Sequence, residues 1–166
     1  MREIMILAAF GIMCCAQTPS QTPSTDPAMV RFFSGEWSCA GEFAAGQKIE
    51  ADLKFSPELD NKWLLYRHSD RPPGGFKAVA MWGVDQESGK LVSITQDIGG
   101  GVRLFTSDGW KDGAVTFESS AILDHKPTRE RVRYERQSPD SFKMTYEVGT
   151  ATGWRMGDYI VCSRHS

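Results

Sequence analysis

Two segments at opposite ends of the chain answer each other, and that pairing restricts the fold more than any other feature of the sequence. Near the start stands Phe32-Phe33-Ser34-Gly35-Glu36-Trp37-Ser38-Cys39, and the chain closes on Tyr159-Ile160-Val161-Cys162-Ser163-Arg164. If both are strands paired antiparallel with Cys39 opposite Cys162, the register sets Trp37 opposite Arg164. The side-chain period of two then puts all four residues on one face. First and last strands in a single ladder is what a closed barrel requires.

The sequence between them reads as strand after strand. Ile49, Ala51, Leu53 and Phe55 alternate with Lys48, Glu50, Asp52 and Lys54, a half-buried strand. Further strands are expected at 62–69, 76–84, 91–97, 102–106, 114–121, 129–136, 142–148 and 154–162. Arg71-Pro72-Pro73-Gly74-Gly75 and Asp108-Gly109-Trp110 supply loop and turn chemistry. A short helix or 3₁₀ turn is expected over 27–34. The fold class predicted is all-β, a single antiparallel up-and-down barrel of about ten strands with first and last strands adjacent. A barrel of that size is slightly too wide to fill itself with side chains, so an internal cavity is expected.

At 166 residues the chain is one domain of ordinary size. Its formal net charge of −2, with no Lys/Arg block, argues against nucleic acid as a partner. Residues 1–16 have the form of a secretion signal: Arg2, an apolar run over 4–13, then Cys14-Cys15-Ala16. That run is too short to span a bilayer, which takes about 20 residues. Cleavage after Ala16 gives simple export to the periplasm or exterior. The alternative is a bacterial lipoprotein anchored through Cys14 or Cys15. Residues 17–31 read as a Thr/Ser/Pro-rich spacer and 32–166 as the barrel domain. In an oxidising compartment Cys39 and Cys162 are expected to form a disulfide, worth about 4–5 kcal/mol for so long a loop; two separate buried thiols are the alternative.

Gly35-x-Trp37 after a short apolar lead-in, with an arginine ending the last strand, resembles the calycin superfamily of lipocalins, fatty-acid-binding proteins and nitrobindin-like haem barrels. The run from Gly35-Glu36-Trp37 to Gly41-Glu42-Phe43 is similar to the nitrobindin opening, without that group's further glycines or Tyr-Pro ending. The Met81-Trp82-Gly83-Val84-Asp85 to Gly89-Lys90 hairpin and the Asp108-Gly109-Trp110 turn look more like exported bacterial barrels of the same superfamily. The resemblance implies that Trp37 and Arg164 shut the barrel floor by a cation–π contact of about 0.5–2 kcal/mol.

For chemistry, no pair among His68, His125 and His165 has metal-ligand spacing, so no metal is expected. Haem, which needs an axial ligand, is not expected either, and no other cofactor is assigned. No G-x-S-x-G elbow or phosphate-binding glycine loop is present. Asp158 is the notable group. If Trp154, Met156, Ile160 and Cys162 face inward with Arg164, Asp158 does too, paired with an inward Arg67 or with a ligand. A bulge at Gly157 that turns Asp158 outward is the competing arrangement. The residues assigned to a pocket are Trp63, Arg67, Trp82, Tyr146 and Asp158. Fold analogy implies non-covalent binding of a small hydrophobic or amphipathic molecule. A solidly packed envelope-associated barrel and an enzyme built on an inward carboxylate are the alternatives.

Overall fold

The computed structural model describes residues 25–119 and 129–165. One short helix, α1 (Pro27–Phe33), precedes ten strands: β1 (Gly35–Phe43), β2 (Lys48–Glu58), β3 (Trp63–Asp70), β4 (Lys77–Val84), β5 (Leu91–Asp97), β6 (Val102–Ser107), β7 (Ala114–Ser119), β8 (Glu130–Ser138), β9 (Ser141–Thr150) and β10 (Gly153–Arg164). Every strand pairs antiparallel with its sequence neighbour, and β1 pairs with β10, so the sheet closes into an up-and-down barrel. The closing register sets Trp37 opposite Arg164 and Cys39 opposite Cys162, and the two cysteines are bonded as a disulfide.

Alternation explains the walls. On β2 Ile49, Ala51, Leu53 and Phe55 are buried, while the charged residues between them are exposed. A helix seals one end. Asp26 caps α1 by accepting from the Ala28 amide at 2.7 Å, and Pro27 suits the first helical position because its missing N–H has no partner to lose. The helix presents Met29, Val30, Phe32 and Phe33 to the interior. Phe33 is fully buried and meets the rings of Phe55, Trp82, Tyr134 and Phe142 at centroid distances of 5.1–5.8 Å. The interior of that half of the barrel is therefore filled by aromatic side chains.

The parity of β3 and a break in the alternation of β10 decide which candidate side chains face the interior. On β3 the buried set is Leu64, Tyr66 and His68, so Trp63 and Arg67 point outward. The Trp63 ring lies flat over Gly83 on β4, where a Cβ would come within 2.4 Å of it. On β10 the register against β9 shifts between Met156 and Asp158, a bulge at Gly157. The bulge does not turn Asp158 outward. Instead it flips the residues before it: Trp154 stacks on Arg129 and Arg131 of the outer surface and Met156 is exposed, whereas Asp158, Ile160 and Cys162 share the inward face. The Gly157 carbonyl accepts from the Ala44 amide at 2.8 Å, which ties the bulge to the β1–β2 turn.

Candidate functional site

Opposite the helix-sealed end lies a cavity of about 350 Å³. Its floor is aromatic. Trp82 stacks on Tyr66 at 5.8 Å and meets Phe117 and Tyr134 at 4.9 and 4.8 Å. Aliphatic residues from five strands, among them Ile49, Ala80, Val132, Met144 and Ile160, form the walls. Phe43 and Phe76 line the far end and are each about 40% exposed (40% and 41%), so the cavity reaches solvent there. The volume sits at the low end of small-molecule sites, about 300–1,000 Å³.

Polar groups are gathered on a few strands toward that solvent end. The period of two brings Tyr66, His68 and Asp70 onto one face of β3, and they form a chain. His68 Nε2 lies 2.8 Å from Asp70 Oδ1, and the Tyr66 hydroxyl lies 2.7 Å from His68 Nδ1. A carboxylate accepts, so Nε2 carries the proton and Nδ1 accepts from the tyrosine O–H. Burial holds the His68 pKa below the ordinary imidazole range, against the opposing pull of the Asp70 hydrogen bond. Burial likewise raises the Tyr66 and Tyr134 hydroxyls, which stay protonated. With both ring nitrogens engaged, His68 has no lone pair to offer as a general base.

Asp158 faces the same cavity from β10. Burial, and then the charge of Asp70, pushes its pKa up to about 6. Among the described residues it has neither a hydrogen-bond nor an ion-pair partner. Tyr146, opposite it on β9, also lines the cavity, and burial followed by the Glu130 carboxylate raises its hydroxyl pKa. Arg103 brings the one cationic side chain among the described lining residues, and its charge is already committed. It is salt-bridged to Asp97 and lies 3.8 Å from Glu130 Oε2.

Of the residues assigned from sequence, the structure thus brings Trp82, Tyr146 and Asp158 to the cavity and leaves Trp63 and Arg67 on the outer surface. Sequence reasoning missed Tyr66, His68, Asp70 and Arg103. Alternation on β3 carried the signal for the first three, since they share the parity opposite to Arg67. His125 lies outside the described residues, as do Cys14 and Cys15.

The closure pair sits at the other end. The Arg164 guanidinium lies 4.2 Å from the centre of the Trp37 ring and donates to the carbonyls of Ser34 (2.6 Å) and Phe32 (2.7 Å), while Trp37 Nε1 donates to the Phe33 carbonyl at 2.7 Å. Three carbonyls left open at the end of α1 are thereby satisfied, by groups from the first and last strands.

No protein-family model matches the chain, and no curated protein matches it. Solved structures do. A de novo designed fluorescence-activating β-barrel is 13% identical with a TM-score of 0.43, covering 82% of this chain and 96% of that one. A redesigned β-barrel, b11L5F_LGL, is 14% identical with a TM-score of 0.41, covering 86% and 100%. A structure of EF1p2_mFAP2b bound to DFHBI is 11% identical with a TM-score of 0.41, covering 88% and 100%.

Proposed function

We propose that this chain is a binding module: a calycin-like barrel that holds one small amphipathic molecule without covalent chemistry. The observation that carries the reading is the cavity itself. Its floor and walls are apolar and its polar groups converge toward the solvent end, the division expected of a site that buries a ligand's body and recognises its head. A solidly packed barrel would not leave that space. In this proposal Trp82 is a floor contact, and Tyr146 and Asp158 are head-group contacts. Export belongs to the same proposal: the signal-like residues 1–16 favour it and the Cys39–Cys162 disulfide is compatible with it. A lipid anchor through Cys14 or Cys15 is its variant form.

Ala80 lies on the cavity wall and is buried, so Ala80→Trp fills the space from within. Calorimetric titration of the disulfide-bonded chain with 1-octanol and octylamine is expected to give one-to-one binding of at least one probe, lost in Ala80→Trp. Near-UV circular dichroism would report that the variant keeps its packed aromatic half. Absence of binding by both probes, or binding unchanged by the filled cavity, would overturn the proposal.

A further inference from the structure

If the cavity holds a ligand, its charges state what the head group must be. Asp70 and Asp158 both line it, from β3 and β10, and they repel one another. His68 meets Asp70 as a neutral hydrogen-bond donor and adds no positive charge. Arg103, the one cationic lining side chain among the described residues, is neutralised by Asp97 and Glu130. The solvent end of an otherwise apolar cavity therefore carries an uncompensated negative charge, centred on an Asp158 carboxylate that no described side chain partners. Low-dielectric walls concentrate such a field instead of letting water screen it.

We propose that the cavity is a site for a cationic amphiphile, a primary or substituted alkyl or aryl amine, whose ammonium group is held by Asp158 and Asp70 while its apolar body rests on the Trp82 and Tyr66 floor. The inference rests on the binding-module reading and names its ligand class. Three requirements of a buried ammonium meet here. It needs a carboxylate, because a buried charge without a counter-charge is strongly disfavoured. It needs acceptors for its remaining protons, and the second carboxylate supplies them. It gains from nearby ring faces, which Phe76 and Tyr66 offer among the cavity-lining residues. An anionic head of the same shape meets the opposite field. A neutral hydroxyl gains no ion pair.

The test is a set of three probes with one tail: octylamine, 1-octanol and octanoate, titrated calorimetrically into the disulfide-bonded chain at pH 8. The amine is expected to bind at least ten-fold tighter than the alcohol, and octanoate more weakly than either. In Asp158→Asn, an isosteric change, the amine-to-alcohol ratio is expected to fall to within about three-fold. Asp70→Asn is expected to lower the same ratio. Because the readout is a ratio within one protein, a variant with a reduced folded fraction still reports it. Octanoate binding as tightly as octylamine, or a ratio untouched by both substitutions, overturns the amine assignment and leaves the binding module standing. No binding by any of the three overturns both.

Discussion

The Arg164 guanidinium lies 4.2 Å from the centre of the Trp37 ring and donates to two carbonyls at the end of α1. The contact joins three parts of the chain that are remote in sequence: the plugging helix, the first strand and the last. Its weight in stability follows from what its loss would expose. Arg164→Ala removes the cation–π contact and leaves the Ser34 and Phe32 carbonyls without their donor. We expect a loss of about 2–4 kcal/mol, read as a lower urea midpoint at unchanged slope. Arg164→Lys should recover only part, since an ammonium cannot fork across two carbonyls while stacking on a ring. A midpoint within error of the parent would show that the helix holds its place without Arg164.

The hydrogen-bonded chain on β3 makes a second expectation. Tyr66→Phe takes away the donor to His68 Nδ1 and leaves a buried acceptor unsatisfied, at a cost of about 1–3 kcal/mol. It also removes the interaction that favours the neutral ring, so the His68 pKa should rise from its lowered position. Titration of the His68 ring signals by NMR, parent against variant, measures that directly. A pKa that stays put would mean that burial alone keeps His68 neutral.

Asp158 makes the third, through pH. Its folded-state pKa, about 6, lies above the ordinary carboxylate value. The folded state therefore holds this proton more tightly than the unfolded chain does. Ionising Asp158 costs stability in full above about pH 6, and the cost fades as pH falls through 6 toward 4. His68 acts the other way: its lowered pKa makes the unfolded chain the better proton binder, so its contribution falls as pH drops. Comparing Asp158→Asn with the parent separates the two. The variant should be the more stable at pH 8, with an advantage that shrinks through pH 6 and is gone by pH 4. Melting temperatures across that range are the measurement, and a pH-independent difference would sink the argument.

Much of the barrel was legible in the sequence because a strand writes its two faces in alternate letters. The half-buried pattern of β2 and the ten-strand meander are borne out, as is the end-to-end register of Trp37 with Arg164 and Cys39 with Cys162. The site was only partly legible. Asp158 and Tyr146 do face each other inside, but unbroken alternation from Trp154 is not what puts Asp158 there. The structure breaks it at Gly157, where a Cβ would come within 2.7 Å of the Tyr146 ring. On β3 the inward parity belongs to His68 and not to Arg67, a choice that alternation alone leaves open.

What the sequence by itself determined is the architecture: strand count, antiparallel order and the pairing of the chain's two ends, all set by local periodicity and short turns. Tertiary structure alone decided the chemistry of the interior. A shift of one residue exchanges the two faces of a strand, so the choice between Arg67 and His68, or the flip at Gly157, turns on how neighbouring strands and rings pack. The same holds for Phe33, whose burial against four rings from distant strands fills the half of the barrel opposite the one where Asp70 and Asp158 meet.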